Sequence, residues 1–518
     1  MLTMILLFIV LSSGAVFGCF VLKKEYRFEE YFPLSCMVAV LWLFAWGLLK
    51  ALFAGFIALM ILCGLFYLLA VIRTVVDRDF TDRKSLFFTQ GFAFSILIFA
   101  AVTWISYGMQ AHSWDEFSHW ALVVKEMNFS NVLPCFPEVK FTFYKTYPPA
   151  MPLFQYLVQK LNGGEFTEWL LYSAYQILLL SFFAPFLEKL NLKKWYNWLF
   201  VPAIALVPMM FYENVYSELY IDPFLCVATG ACFAMILSGE TEKRLGRLTV
   251  LFGIATVVLT KEIGILLAAF VVLAFVTTGK SGKPAWSIAF LAVPELLWKL
   301  MLKLFNVTGQ KRGRIDIASF FSVIAGREDS YRPQTLKAFF IYLRYRYLVI
   351  AVVLIVLLLA VCILRKKIPV FWSIMAMGIM YIFGMLLMYM YMFTWQEAIS
   401  MASYERYIGV VFEAAAVCIV LCAVDLPLKA RWLVPTLLLT IACLLIPHRE
   451  VMMVISRGNV SLARSVREPV EENYCKKIRE EYESGSRICY GSGDSATMEF
   501  FESRYILAPD YDIYWKDN

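Results

Sequence analysis

The sequence predicts an all-α membrane protein that crosses the bilayer about fourteen times and carries a small α/β tail outside the membrane. Of the 518 residues, 61% are hydrophobic and only 17% are charged, whereas about a quarter of the residues in soluble domains are charged. The apolar residues also form runs of about twenty, the length of helix that crosses a hydrocarbon core. These observations exclude an ordinary soluble domain and indicate a multi-pass membrane protein.

Fourteen apolar runs give the predicted order of the spans. A cleaved signal peptide begins with a basic segment. The first run has no such segment before it, so we interpret it as a retained first span. Two pairs of runs have almost no connector between them, which leaves the count open by one or two. The runs are 1–22, 31–50, 51–72, 86–107, 166–187, 196–212, 218–238, 247–260, 262–279, 284–305, 347–364, 369–394, 407–424 and 431–447.

Lysine and arginine are concentrated in every second short connector. Short connectors rich in these residues stay in the cytoplasm, so we predict that both termini and the long loops at 108–165 and 306–345 lie outside. The expected location is the plasma membrane. The basic residues in question are Lys23, Lys24, Arg27, Arg73, Arg78, Arg83, Lys84, Lys189, Lys193, Lys194, Lys243, Arg244, Arg247, Lys280, Lys283, Arg365, Lys366, Lys367, Lys429 and Arg431.

Three segments make up the predicted domain organisation. They are three additional transmembrane helices in 1–85, a transmembrane core in 86–447 and an outer tail in 448–518. The cytoplasmic connectors are too short for a nucleotide-binding domain and contain no glycine-rich phosphate-binding motif. We therefore expect any chemistry to take place on the outer face, with the lipid bilayer as a partner and no nucleic acid.

The tail combines a helix-like segment at 464–483 with a strand-like piece at 487–490. It is too small for a robust core of its own, so we expect it either to position an acceptor or to brace the outer loops. Cys475 and Cys489 lie in this polar segment and are a candidate disulfide, whereas most of the other cysteines lie in apolar runs and are interpreted as buried hydrophobic residues.

The first outer loop contains an acidic pair, Asp115 and Glu116, about eight residues after a span ends. The pair opens an amphipathic stretch in which Phe117, Trp120 and Val124 share one helical face, so we expect a helix lying in the membrane interface. A carboxylate at that depth can act as a general base or bind a divalent cation. The alternative is an ordinary helix start, with Asp115 as the cap and Glu116 in the first turn.

Other charged residues map to the same predicted face. Glu218 and Asp222 are four residues apart and would share one face of a helix, with Asp222 at the edge of an apolar run. Lys261 lies in a tight turn between two runs, which is also typical of a plain helical hairpin. Arg406 precedes a span, where it can bind a phosphate through two hydrogen bonds or serve only as an interface anchor.

The ordered motifs of this face resemble those of a known family. The motifs are Trp114-Asp115-Glu116 with His119-Trp120, then Tyr147-Pro148-Pro149, Ser217 to Pro223, Thr260-Lys261-Glu262 and Ser403 to Tyr407. Together they cover about 100–410 and resemble the GT-C superfamily of polytopic glycosyltransferases, which includes the protein O-mannosyltransferases and the aminoarabinose transferase of lipid A. The element from Ser403 to Tyr407 is similar to that of bacterial members.

The resemblance implies an inverting transfer of a sugar from a polyprenyl-phosphate carrier to an extracytoplasmic acceptor hydroxyl, on a glycan, a lipid or a protein. Asp115, with Glu116, would be catalytic, and Asp115 would deprotonate the acceptor. The acceptor or a metal would be supported by Asp222, Glu218 and His119. The donor phosphate would be bound by Lys261, Arg406 and Tyr407, with Lys140, Lys145, Arg344 and Arg346 as rivals. An Mg²⁺ or Mn²⁺ ion would be ligated by Asp115 and Asp222.

One departure from the family and two alternative functions remain. In the family the acidic loop usually follows the first span, whereas here three extra spans precede it. A polysaccharide polymerase or ligase would use the same type of donor, and the arginines in 313–346 favour it. A lipid or sugar transporter, such as a flippase, would show internal repeats and ionisable residues near mid-bilayer; the sequence shows no convincing repeat, and its charges cluster at the ends of the runs.

Overall fold

The computed structural model describes residues 1–77, 80–187, 189–278, 284–309, 314–328, 330–493 and 496–516. The chain is mostly helical, as the apolar runs predict. The basic connector residues Arg78, Lys280 and Lys283 lie outside the described residues.

The helices follow one another along the chain with short connections. They are α1 (Leu2–Val16), α2 (Phe28–Leu48), α3 (Leu52–Asp77), α4 (Phe80–Phe87), α5 (Gln90–Ser106), α6 (Leu122–Ser130), α7 (Ala150–Leu161), α8 (Trp169–Ser181), α9 (Ala184–Leu187), α10 (Phe200–Leu206), α11 (Asp222–Leu237), α12 (Arg244–Val258), α13 (Gly264–Thr277), α14 (Pro284–Leu304), α15 (Ile317–Ile324), α16 (Arg332–Tyr342), α17 (Leu348–Leu364), α18 (Ile368–Tyr391), α19 (Trp395–Ser400), α20 (Tyr404–Ala423), α21 (Leu428–Leu445), α22 (His448–Ser456), α23 (Gly458–Val470), α24 (Lys476–Glu481) and α25 (Met498–Leu507). Short π-helical or 3-10 segments occupy Phe17–Val21, Glu116–Trp120, Trp195–Leu199, Val207–Met209, Glu240–Glu242, Leu343–Tyr347 and Glu471–Cys475.

Seven helical segments among the described residues are long and apolar enough to cross a membrane. A bent pair, Arg431–Leu445 with His448–Ser456 at 95°, raises the count to eight if the pair is one span. Each of the fourteen predicted runs contains a helix, but several of these helices are shorter than a full span. A multi-pass membrane protein is therefore confirmed, while the number fourteen stays a prediction. The seven segments are Leu2–Val21, Phe28–Leu48, Leu52–Val76, Pro284–Leu304, Arg332–Leu364, Ile368–Tyr391 and Tyr404–Ala423.

Helices α11 and α20 form the centre of the transmembrane part. Every residue of α11 is buried, and so is most of α20. They run in the same direction, because Asp222 and Arg406 meet at their amino ends and Cys422 approaches the carbonyl of Ala234 near their carboxyl ends. Gly230 allows this close approach, since a Cβ at that position would meet the Ala414 carbonyl and the Val417 side chain.

An ion-pair network gathers the basic connectors at the carboxyl ends of these two helices. Lys189 lies 2.6 Å from Glu240 and 3.5 Å from Asp425, and Arg365 also binds Asp425. Lys367 donates to the carbonyl of Ile236 over 2.6 Å. The prediction that these connectors share one face agrees with this geometry. Because α20 has 20 residues, its amino end lies about 30 Å from this network. Which face is cytoplasmic stays a prediction.

The tail folds as a small α/β unit. Strands β1 (Arg487–Ser492) and β2 (Asp512–Lys516) pair in parallel with α25 between them in sequence, and Ile488 is opposite Ile513. The predicted strand falls inside β1, and the predicted helix is divided among α23, a π-helical segment and α24. The candidate disulfide between Cys475 and Cys489 does not form, because both cysteines are free and only Cys475 is buried.

The contact at Gly230 yields a stability prediction. Gly230→Ala should lower the free energy of unfolding by about 1–3 kcal/mol, because the added methyl forces two packed backbones apart. The measurement is the melting temperature of the purified protein in detergent. Gly64→Ala is the matched control, since no described atom lies within 4 Å of that position. Equal melting temperatures for the two variants would show that α11 and α20 are not tightly packed.

Candidate functional site

The Glu116 carboxylate joins three segments at the outer-loop end of the bundle. It is 1% exposed and accepts hydrogen bonds from the backbone N–H groups of His112 (2.8 Å), Ser113 (3.1 Å) and Leu219 (3.0 Å), and from the hydroxyl of Tyr172 (2.7 Å). Both oxygens are used by these donors. The geometry therefore gives Glu116 a structural role, namely holding the 108–121 and 213–221 segments together, and the catalytic role that the sequence predicted stays a prediction.

The segment after Asp115 is buried in protein and does not lie in a membrane interface. Phe117 and Val124 are fully buried, and Trp120 is nearly so. The Phe117 ring packs on Tyr505 of α25 at 5.5 Å, and the Trp120 ring stacks on Tyr147 at 5.5 Å. The prediction of an interfacial helix was wrong because the tail, at Tyr505, and the loop itself, at Tyr147, cover its apolar residues.

Asp222 and Lys261 form a close ion pair at the amino end of α11. Their Nζ and Oδ1 atoms lie 2.6 Å apart, and the Asp222 side chain is only 4% exposed. Lys261 comes from the turn between α12 and α13, as the sequence predicted. Glu218 lies in a bend before α11 begins at Asp222, so the two acids do not share a helical face in the way that their spacing suggested.

Arg406 brings the two acidic segments together. Its Nη1 donates to Oδ2 of Asp115 over 2.7 Å, and its Nε lies 3.8 Å from Oδ2 of Asp222. The guanidinium also lies 4.8 Å from the ring centre of Tyr220 and 5.1 Å from that of Tyr407, whose hydroxyl accepts from Nη2 over 3.2 Å. Asp115, Asp222, Lys261, Arg406 and Tyr407 are thus assembled from four separate motifs.

Glu218 lies beside this cluster as a mostly protonated acid. Burial, and then the negative charges of Glu116 and Asp115, raise the pKa of Glu218 from its ordinary value of 4.5 to about 8. Its Oε1 accepts from Asn214 over 2.9 Å, and its buried Oε2 has no hydrogen-bond partner among the described residues. Protonation removes a third carboxylate charge from the site at neutral pH.

His119 has a different environment from the other predicted site residues. Its ring is buried and lies within 6 Å of the ring centres of Trp120, Tyr144 and Tyr147. Burial lowers the pKa of His119 to about 3, so the imidazole is neutral. None of its described contacts reaches Asp115 or Asp222, and the geometry therefore lends no support to its predicted role in acceptor or metal binding.

A cavity of about 380 Å³ opens next to Arg406. One part of its wall is polar and includes Arg406, Arg346 and Tyr220; Arg346 is ion-paired with Glu405. The wall also contains the apolar residues Met209, Met210, Phe211, Ile350, Leu444 and Leu445. The cavity can therefore hold an amphiphilic ligand, with a charged head at Arg406 and a hydrocarbon tail along the apolar wall.

Of the four rival cations, only Arg346 lines this cavity. Lys145 donates to the carbonyl of Val139 within its own loop, and Arg344 lies over the ring of Tyr345. Tyr220 was missed as a functional residue, although it lies inside the quoted motif at 217–223. The signal available in the sequence was an aromatic residue next to a span entrance, which is too common to assign a partner.

The tail braces the loop that carries Asp115. Lys125 donates to the carbonyl of Tyr505 over 2.7 Å, Arg504 donates to the carbonyl of Phe141 over 2.6 Å, and Arg467 lies 2.8 Å from Glu168. Trp114, the neighbour of Asp115, packs on Phe501 with ring centres 4.3 Å apart. Of the two roles expected for the tail, bracing is the one that these contacts show, and acceptor positioning stays a prediction.

A metal site receives no support from the described part of the chain. No group of three or more His, Cys, Asp or Glu side chains is placed to hold an ion there, and the two predicted ligands, Asp115 and Asp222, face Arg406 and Lys261. A divalent cation, Mg²⁺ or Mn²⁺, stays a prediction of the family resemblance.

The relation of the chain to known proteins rests on its motifs alone. Comparisons with models of known protein families, with curated proteins and with solved structures find no match. Membership of the GT-C superfamily therefore stays a prediction, and the geometry of the Asp115–Arg406 site is the basis for a functional proposal.

The raised pKa of Glu218 predicts a pH effect on stability. The folded chain holds this proton up to about pH 8, whereas the unfolded chain releases it near pH 4.5. Folded stability should therefore fall as pH rises from about 5 to about 8. In Glu218→Gln this contribution is absent. The melting temperature of the variant minus that of the wild type should therefore increase from about pH 5 to about pH 8 and stay constant above that range. Exposed Glu25→Gln is the control, and parallel curves for wild type and Glu218→Gln would contradict the prediction.

Proposed function

We propose that the chain is an inverting glycosyltransferase that moves a sugar from a polyprenyl-phosphate carrier to an acceptor hydroxyl outside the cell. The observation that carries this proposal is that one side chain, Arg406, contacts both the cavity and the candidate base. Arg406 lines the amphiphilic cavity, where a lipid phosphate fits, and it hydrogen-bonds Asp115, the candidate base. A donor phosphate and a base are thereby within reach of one guanidinium.

The chemistry follows from these positions. Asp115 takes the proton of the acceptor hydroxyl, the acceptor oxygen forms a bond to the anomeric carbon, and the bond from that carbon to the phosphate oxygen breaks. The electron pair of the broken bond stays on the carrier phosphate, which leaves as a phosphomonoester. Arg406 stabilises this growing negative charge, because a guanidinium binds phosphate oxygens through charged hydrogen bonds. Attack opposite the leaving group inverts the anomeric centre.

Asp222 and Lys261 support the cations of the site. The buried Asp222 carboxylate lies 2.6 Å from Lys261 and 3.8 Å from Arg406, so it fixes the positions of two positive groups that would otherwise repel each other. Lys261 also lies 5.6 Å from the ring centre of Tyr407. In this arrangement Lys261 adds positive potential near the leaving phosphate, while Arg406 makes the direct contact.

The proposed orientation in the membrane follows from the charged residues at the two ends of the helical bundle. The basic network of Lys189 and Arg365 lies at the end opposite the site, and such residues favour the cytoplasmic side. We therefore place the site on the outer face of a bacterial plasma membrane, with both termini outside, about fourteen spans and the GT-C fold. A glycan, a lipid or a protein supplies the acceptor hydroxyl, and a polymerase or ligase would differ only in that acceptor.

Substitution of Asp115 tests the proposed reaction. Asp115→Asn should lower the rate of sugar transfer by about 10²–10⁴-fold, because the amide cannot accept the proton of the acceptor. The assay uses purified protein in nanodiscs with polyprenyl-phosphate-linked glucose, galactose, mannose and arabinose as donor probes. Asp510→Asn, an exposed acid of the tail, is the control. A folded Asp115→Asn protein that transfers sugar at the wild-type rate would rule out this base.

A second candidate function is supported by Glu413. This residue lies halfway along α20, is fully buried, and neither of its oxygens has a hydrogen-bond partner among the described residues. The sequence analysis placed the charges only at the ends of the runs and so missed it. Ionisable residues at such depth are typical of proton-linked transporters, and a lipid flippase is therefore the alternative to a transferase.

A flipping assay separates the two functions. Vesicles reconstituted with the protein and a fluorescent polyprenyl phosphate are treated with dithionite, which bleaches only probe molecules in the outer leaflet. The transferase proposal predicts that inner-leaflet fluorescence survives with wild type and with Glu413→Gln alike. Complete bleaching with the wild type, lost in Glu413→Gln, would instead establish a flippase.

A further inference from the structure

We propose that Asp115 and the donor phosphate compete for Arg406, so that binding of the donor releases Asp115 to act as the base. This inference rests on the function proposed above and concerns the order of events at the same site. In the empty site Arg406 is held by the residue that the reaction needs to be free. The phosphate group that enters the cavity is the natural replacement for that carboxylate.

The four charged groups joined through Arg406 and Asp222 balance one another. Asp115 and Asp222 carry two negative charges, and Arg406 and Lys261 carry two positive charges. Arg346, the other cation of the cavity wall, is paired with Glu405. A donor phosphodiester adds a negative charge, and like charges held close together in a partly buried site repel strongly. The phosphate enters with the smallest cost in free energy if one carboxylate leaves its ion pair with Arg406.

Asp115 is the carboxylate that can leave. It is 28% exposed, whereas Asp222 is 4% exposed and is held by Lys261 as well. Only Oδ2 of Asp115 has a partner among the described residues, so turning the side chain breaks one hydrogen bond. Once turned toward water, the carboxylate is free to accept a proton from an acceptor hydroxyl.

Arg406 is built to exchange partners without moving. Tyr220 and Tyr407 both lie against the guanidinium, and the hydroxyl of Tyr407 accepts from Nη2. The buried Nε has no hydrogen-bond partner among the described residues, which leaves a donor unused. Nη1 and Nη2 each carry two N–H groups, so a phosphate that takes one from each would make two charged hydrogen bonds where Asp115 makes one, in the paired geometry that a guanidinium favours.

This competition prevents wasteful chemistry. While the cavity is empty, the base is occupied and does not activate water or an acceptor. When the donor binds, the same event positions the leaving phosphate and frees the base. Donor binding should therefore precede productive acceptor binding.

Removal of the Asp115 charge is the decisive experiment. Binding of polyprenyl monophosphate to the full-length protein is measured by native mass spectrometry in detergent. Asp115→Asn should bind this probe about tenfold more tightly than the wild type, although it is inactive in transfer, because Arg406 no longer has a charged competitor. In an Arg406→Gln background the same change should give no gain, since the shared cation is gone.

Glu213→Gln is the matched control, because it removes one negative charge from the wall of the same cavity without touching Arg406. Asp115→Ala repeats the test if the asparagine keeps a hydrogen bond to the guanidinium. A wild type that binds the probe while neither Asp115 variant binds it more tightly, or while Glu213→Gln gains as much, would overturn the competition and leave the proposed function standing.

Two further outcomes have distinct meanings. If neither wild type nor variants bind polyprenyl phosphate, the proposed function and the competition both fail. Phosphatidic acid, which offers the same phosphate on two acyl chains, is measured in parallel. A gain in Asp115→Asn for phosphatidic acid and not for polyprenyl phosphate would mean that the cavity holds an ordinary bilayer lipid, and it would also overturn the proposal.

Discussion

The ion pair between Asp115 and Arg406 is the contact that organises the candidate site. It joins two residues 291 positions apart, one from a loop and one from the first turn of α20. Charged groups that leave water must find partners, since an unpaired buried charge costs several kcal/mol. Once Arg406 is placed between Asp115 and Asp222, the positions of Lys261, Tyr220 and Tyr407 follow from it.

The loop that supplies Asp115 is held from two sides. Glu116 fixes it to α8 through the hydroxyl of Tyr172 and to the segment before α11 through the backbone N–H of Leu219, and it accepts two more hydrogen bonds from within the loop. The tail fixes it from above, through Phe501 packed on Trp114 and Lys125 bound to the end of α25. The proposed exchange of partners at Asp115 requires a rigid backbone beneath the side chain, and these contacts provide one. The tail thus contributes to the site although none of its described residues lines the cavity.

The sequence predicted which residues belong to the site better than it predicted how they meet. Asp222, Lys261 and Arg406 were identifiable because each lies at the end of an apolar run, and Asp115 because it lies about eight residues after one, all on one predicted face. Their pairing depends on the packing of α11 against α20, which leaves no periodic signal in the chain. His119 and Glu116 have the residue types of a site, but neighbouring segments bury them. Glu413 was overlooked because one acid does not interrupt an apolar run. The segment after Asp115 was misjudged as an interfacial helix because one of its partners, α25, lies almost four hundred residues away in the sequence.

The parallel direction of α11 and α20 has a consequence for the field at the site. Each helix carries a partial positive charge at its amino end, equivalent to roughly half an elementary charge, and both amino ends converge on the cavity wall at Pro223 and Arg406. Parallel neighbours gain nothing from each other's dipoles, so this arrangement is unfavourable unless an anion lies in front of it. The peptide backbone therefore attracts anions to this place independently of any side chain, and the bundle itself takes part in recognising what binds there.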